Sequence, residues 1–270
     1  MALPDRPAKP QHLLTVVSSE RVSPHMVRLT FSADTISEFP DDGITDRYLK
    51  LIFIDPSLGL TPPYDVRALR AELPADQAPR VRTYSVRAVD RAAGTLAVDF
   101  VIHGDEGLAG PWAAAAQPGD VISATGPGGA YGPSAQAPFH LFVGDLSALP
   151  AISAALERVR PGTPGLALIE IHDPVDEIDL SGAHSVEVRW LLNTDTADVD
   201  FLARAAAEAQ WPADAQVFAH GERGAIKAVR AVMREREIPR EALSISAYWA
   251  LGRAEDAFQA EKREPIGKID

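Results

Sequence analysis

Two different periods of hydrophobic and polar positions divide the chain. In the first half, apolar and polar residues alternate with the period of two that a strand with one buried face imposes. Residues 12–22 and 25–33 alternate in this way on either side of Ser23-Pro24 and read as an antiparallel pair. Tyr48–Asp55, Arg80–Ala88, Thr95–Ile102 and Asp120–Ala124 add further short strands separated by turn residues. Together they predict an antiparallel six-stranded β-barrel, closed or nearly so, over residues 12–133. Inside it, an Ala-rich helix is predicted from Pro111 to Ala116, after a Gly-rich turn. Pro56–Pro79 is Pro-rich and reads as irregular, either a functional loop or a solvated insertion.

Residues 134–138 read as a linker, and beyond them the period changes. Phe139–Val143 is a continuous apolar run, as expected of a parallel strand buried on both faces, and Leu166–Ile171 and Val186–Leu192 read as further apolar strands. Gln216–Ala219 reads as a short strand and Ser244–Tyr248 as the last one. Between them, Leu149, Ile152, Leu156 and Val159 recur at helical spacing, as do Ala225, Ile226, Val229, Val232 and Met233, and a further helix is predicted over Val199–Ala209. Strands alternating with helices predict an α/β parallel-sheet domain over residues 139–252. The remainder, 253–270, reads as a short charged helical tail with a free end.

Composition narrows the function classes. The chain has 270 residues, 46% of them hydrophobic, and a formal net charge of −12. That charge argues against a nucleic-acid partner or insertion at an anionic membrane, and a soluble monomer is expected. With no cysteine there is no disulfide, iron–sulfur cluster or thiol redox centre. The histidines show no ligand spacing, so no protein-bound metal is expected. Met1–Gln11 is polar and Pro-rich, unlike a signal peptide, and a cytoplasmic location is expected.

The chemistry concentrates in Arg82-Thr83-Tyr84-Ser85-Val86-Arg87 and in His103-Gly104-Asp105-Glu106-Gly107-Leu108-Ala109-Gly110-Pro111-Trp112. On a strand, Tyr84 packs on a flat ring, the Ser85 hydroxyl reaches a ring nitrogen, and Arg82 pairs with phosphate through its planar fork. A helix start after a Gly-rich turn offers free N–H groups to a diphosphate. The pair points to an extended dinucleotide, with FAD the best fit. In the second half, the carboxyl ends of the strands carry Gly144-Asp145, His172-Asp173, Asn193-Thr194, His220-Gly221-Glu222 and Tyr248-Trp249. Open parallel sheets bind ligands there, so NADH (or NADPH) is placed on these ends. Asp173, with Asp176 and Glu177 near it, either reads a ribose diol and favours NADH, or is a solvated acidic turn. Asp145 and Ser147 form either an active-site turn or a cap on the following helix.

In these motifs the chain resembles the siderophore-interacting proteins, ferredoxin-reductase-like flavoenzymes that reduce ferric siderophores. The family's Arg-x-Tyr-Ser/Thr-x-Arg matches Arg82, Tyr84, Ser85 and Arg87. Its His-Gly…Gly-Pro-Ala-x-x-Trp-Ala matches His103, Gly104, Gly107, Ala109, Trp112 and Ala113, with Leu108 for the usual Pro. Pro118-Gly119-Asp120, Gly126-Pro127-Gly128-Gly129 and Gly144–Ile152 match further motifs, with Leu146 in place of Glu. Gly221-Glu222 and Tyr248-Trp249 complete the resemblance, which runs from about residue 12 to 260. It implies a barrel that binds FAD followed by a sheet that binds NAD(P)H. Tyr84 and Ser85 are expected along the isoalloxazine, Arg82, Ala109 and Gly110 at the diphosphate with His103 near it, and Tyr248 and Trp249 beside the stacked nicotinamide. The implied activity is NAD(P)H-driven reduction of a ferric siderophore. Iron is released because hard oxygen donors hold Fe(III) far more tightly than Fe(II).

The resemblance also implies that Lys50 belongs to a basic cluster for an anionic ferric siderophore; read alone, it is equally a strand-surface lysine. Gly128 and Ala250 stand where relatives carry arginines, so Arg253 or Arg47 is expected to compensate. A reductase of a protein acceptor such as a ferredoxin, or a siderophore-binding protein without activity, remain alternatives.

Overall fold

The structure is a computed structural model that describes residues 10–102, 107–180, 182, 185–262 and 264–269. The first half is a barrel of β1 (Gln11–Ser23), β2 (Met26–Ser32), β3 (Tyr48–Phe53), β4 (Arg80–Asp90), β5 (Thr95–Val101) and β6 (Val121–Gly128). The strands run in the order β1-β2-β5-β4-β3-β6, every neighbour antiparallel, and β6 pairs back onto β1 to close it. Alternation fills the inside: Leu14, Leu29, Phe31, Leu49, Leu51, Val98 and Phe100 are all fully buried. Burying each such side chain contributes about 1.5–3 kcal/mol. The stretch from Pro56 to Pro79 is less irregular than expected, because α1 (Val66–Glu72) forms there. Asp65 starts it by accepting from the N–H groups of Arg67 and Ala68 at 3.0 and 2.9 Å. After β5, α2 (Ala109–Ala115) plugs one end of the barrel with Ala109, Trp112 and Ala113.

The second half contains β7 (His140–Gly144), α3 (Leu149–Leu156), β8 (Gly165–Ile171), β9 (Val186–Leu192), α4 (Phe201–Glu208), β10 (Gln216–Glu222), α5 (Arg223–Glu235) and β11 (Leu243–Trp249). The sheet is parallel throughout, in the order β11-β10-β7-β8-β9. One face packs on α4 and α5 through Leu202, Ile226, Val229 and Met233. The other packs on α3 through Leu149, Ile152 and Leu156. Because β8 lies to one side of β7 and β10 to the other, the order reverses at β7, and a crevice opens at the strands' carboxyl ends.

The halves meet along a polar seam. Ser23 donates to Asp176 Oδ1 at 2.5 Å, and His25 Nδ1 lies 2.8 Å from Oδ2. Arg87 pairs with Glu157 at 2.5 Å, and Met26 and Tyr131 pack against the α3 cluster. The tail is not a free end. In α6 (Glu255–Glu261), Phe258 is 1% exposed against Ala247 and Ala250, and Glu261 pairs with Arg223 and Arg253 at 2.5 and 2.8 Å. Among the described residues no helix is long and apolar enough to cross a membrane.

Candidate functional site

The central strand of the site is β4. Tyr84 faces the barrel's end, its ring 4.4 Å from that of Phe100, and burial pushes its hydroxyl's pKa up. Phe100 in turn lies 6.0 Å from Trp112. Trp112 also contacts Phe31 and Phe53, so this expected cofactor residue stands behind Tyr84 as part of the barrel's aromatic core. The next residue, Ser85, is buried. On the sheet side, burial pushes the pKa of the Tyr248 hydroxyl of β11 up.

Arg82 is held by its Nη1, which donates to the carbonyl of Val81 and to Asp256 Oδ2, both at 2.9 Å. Its Nε and Nη2 take no hydrogen-bond partner among the described residues. At the start of α2 no side chain caps the helix, leaving the first N–H groups without a side-chain acceptor. At Gly110 a Cβ would make ordinary contact, 3.4 Å from the Val101 carbonyl. An open guanidinium edge and uncapped N–H groups are the donor set a diphosphate requires, so these residues fit FAD. Thr83 points the opposite way and pairs with Lys50 across the sheet. Arg87, expected at the cofactor, is instead committed to Glu157 at the end of α3. Gly107, with φ +88°, leads into α2, while His103 lies outside the described residues.

On the sheet side Asp145, after β7, joins three strand ends. Its Oδ1 accepts from the N–H and hydroxyl of Ser147 at 2.8 and 2.5 Å. Its Oδ2 accepts from the Glu222 N–H and the Trp249 indole, each at 2.8 Å. It caps the turn before α3 rather than the helix, which has no side-chain cap. Gly221 is required here: its φ is +155°, and a Cβ would come within 2.7 Å of Asp145 Oδ2. Glu222 caps α5 through Ala225 and holds the Leu251 N–H with its other oxygen, so its carboxylate is spent inside the protein. At the end of β8, Asp173 is half-buried and caps a short turn through Val175. Asp176, grouped with it on sequence, cannot read a ribose because its carboxylate is buried against Ser23 and His25. Glu170, bonded to Asn193 Nδ2 at 2.8 Å, is a carboxyl the motifs did not reveal, and burial pushes its pKa up.

His220 supports Tyr248 from below. Its ring stacks on Phe218 at 3.9 Å, meets Tyr248 edge-on at 4.9 Å, and Nε2 lies 2.9 Å from the Ser244 hydroxyl. Burial pushes its pKa down from 6.5 to about 3. Between those values the unfolded chain binds a proton that the folded one refuses, so stability falls with falling pH. The slope reaches about 1.4 kcal/mol per pH unit. His220→Gln should remove that slope. Urea unfolding at pH 7, 6 and 5 should therefore show the wild-type advantage shrinking below pH 6.5; a constant difference would contradict the assignment.

Lys50 projects from β3 on the barrel's outer face and makes no ion pair among the described residues. Glu255 of α6 lies near it, near Arg82 and near Lys262. The departure at Gly128 has a steric cause, since any Cβ there would overlap the ring of Tyr48. Ala250 is buried against Phe258. Neither expected substitute is free: Arg253 pairs with Glu261, and Arg47 with Asp42 at 2.5 Å. The tail's approach to β4 was missed on sequence; the one signal was Phe258, an isolated aromatic in an otherwise charged helix.

Comparison with known proteins fits this geometry. A model of a siderophore-interacting FAD-binding domain matches residues 15–131, and one of the siderophore-interacting protein matches 137–252. Ferric vibriobactin reductase ViuB of Vibrio cholerae is 30% identical over 254 residues, covering 93% of each chain. The chain belongs to the siderophore-interacting protein family. The NADPH-dependent ferric-chelate reductase of Escherichia coli is 30% identical, over 87% of this chain and 91% of its own. The crystal structure of the siderophore-interacting protein SipS from Aeromonas hydrophila superposes with a TM-score of 0.80 at 28% identity, covering 97% of this chain and all of that one. Both family matches stop short of α6, which begins at Glu255.

Proposed function

We propose that this siderophore-interacting protein is an FAD-dependent ferric-siderophore reductase that uses NAD(P)H. The observation carrying the proposal is the open Nε–Nη2 edge of Arg82 on β4, a diphosphate-type donor in a barrel that packs against the parallel sheet. The Vibrio relative, a ferric vibriobactin reductase, supports the same substrate class. When bound, FAD accepts a two-electron hydride and releases electrons singly, so one NAD(P)H reduces two ferric ions and yields NAD(P)⁺ and a proton. The chain's own residues bind and orient. Arg82 and the first turn of α2 hold the diphosphate, Tyr84 and Ser85 line the ring, and Tyr248 and Trp249 occupy the side where nicotinamide stacks. Asp145 fixes Trp249. The purified protein should show flavin bands that bleach under anaerobic NADH; a colourless protein, or a flavin inert to NADH and NADPH, would overturn the reading.

Asp173 stands half-buried just past the end of β8, where a carboxylate accepts from a ribose diol and repels a 2′-phosphate. NADH is therefore expected to bleach the flavin faster than NADPH at equal concentration, although the Escherichia coli relative is named for NADPH. Equal rates or an NADPH preference in stopped flow would remove this argument.

Lys50 is proposed to attract the anionic substrate. Lys50→Ala should raise KM for an anionic ferric siderophore several-fold while leaving flavin reduction unchanged, since it acts on the second half-reaction. The effect should fade with salt, because exposed charges are screened over about 8–10 Å at physiological ionic strength. A loss independent of salt would mark Lys50 as structural.

A further inference from the structure

The chain's terminal helix lies outside both family matches, yet it touches the strand that carries the cofactor donors. Asp256, in the first turn of α6, accepts from Arg82 Nη1 at 2.9 Å and lies 3.8 Å from Arg70 of α1. Nη1 carries two hydrogens, and the Val81 carbonyl takes the other. Both are thus used on one side of the planar fork, and the Nε–Nη2 edge is left without a partner. The helix that brings Asp256 there is itself fixed. Phe258 is buried to 1% exposure, Arg223 and Arg253 hold Glu261, and Lys227 donates to the Ile266 carbonyl at 2.5 Å.

We propose that Asp256 is a positioning residue for FAD: by fixing Nη1 of Arg82 it presents the guanidinium's Nε–Nη2 edge to the diphosphate. The inference rests on the flavin reading above and extends it to a segment that neither family match includes. Its physical basis is preorganisation. A free arginine samples many rotamers, and ordering it at the moment of binding weakens affinity. A guanidinium already locked on one edge offers its other edge without that loss. The same acid could instead compete with the diphosphate for Arg82, since both are anionic. The hydrogen-bond pattern favours positioning, because Asp256 takes none of the donors on the open edge.

The test is the FAD dissociation constant of the apoprotein, read by quenching of flavin fluorescence. Asp256→Ala should raise it roughly 3- to 10-fold, the cost of reordering one long side chain. Asp256→Asn keeps an acceptor oxygen and should stay within about 2-fold of wild type. In an Arg82→Ala background, Asp256→Ala should add nothing, because its only route to the cofactor is gone. Three results would overturn the proposal: unchanged affinity in Asp256→Ala, tighter binding in both Asp256 variants, which would make the residue a competitor, or the same loss with and without Arg82, which would make the helix merely structural. Wild-type apoprotein that binds no FAD would instead sink the flavin reading itself.

Discussion

Arg82→Ala is expected to strip FAD from the protein during gel filtration. The Arg82 side chain is 15% exposed, so the charge it offers a diphosphate is largely shielded from solvent. Removing one partner of such a charge pair costs about 2–5 kcal/mol, which is roughly thirty-fold to several-thousand-fold in affinity. Much of that is the cost of leaving the other charge without its counter-ion. Arg82→Lys should recover only part of the loss, because an ammonium keeps the charge but cannot pair through two parallel N–H groups. Titration of the apoprotein with FAD checks both variants. Stoichiometric FAD retained by Arg82→Ala would place the diphosphate elsewhere.

The second large effect is expected at Asp145. Its carboxylate is 8% exposed and accepts from Ser147, the Glu222 N–H and the Trp249 indole. Asp145→Ala leaves those donors without an acceptor at the junction of β7, β10 and β11. An unpaired buried donor costs about 1–3 kcal/mol, and at least two are created, so a loss of about 3 kcal/mol in unfolding free energy is expected. Released from its partner, Trp249 should also emit at longer wavelength, and flavin reduction by NADH should slow. Asp145→Asn keeps one acceptor and should fall between. Urea unfolding followed by tryptophan fluorescence measures this. Stability within about 0.5 kcal/mol of wild type, the range of a neutral surface change, would show that Asp145 does not organise the strand ends.

Most of the fold was legible because burial enforces period. Val186–Leu192 was read with the bounds that β9 shows, since its alternating pattern starts and stops with the strand. Misses came where tertiary pairing overrode a local signal. The last strand of the barrel was expected to end at Ala124, yet β6 continues through Gly126-Pro127-Gly128, where Tyr48 of β3 pairs with Gly128. The prolines of Pro56–Pro79 hid α1, which Asp65 caps.

The site divides in the same way. Arg82 and Tyr84 were expected on one face of a strand and Ser85 on the other, and β4 carries all three. Arg87 shares that motif, yet it was drawn off by Glu157, seventy positions away in sequence. The acid on Arg82 comes from still farther, and no local pattern announces Asp256. The expected substitutes Arg253 and Arg47 each pair with a carboxylate close in sequence, Glu261 and Asp42. The Gly128 departure makes sense only with Tyr48 in view, since its ring fills the place where a side chain would start.

The most direct test of the whole account is an electron balance. Purified holoprotein is supplied anaerobically with a limiting amount of NADH, an excess of a ferric siderophore and an Fe(II)-specific chelator. The account predicts two Fe(II) captured for each NADH consumed, with the flavin bands bleaching first and returning as iron is reduced. NADH consumed with the flavin left bleached and no Fe(II) formed would contradict it, and would point to an acceptor other than a ferric siderophore.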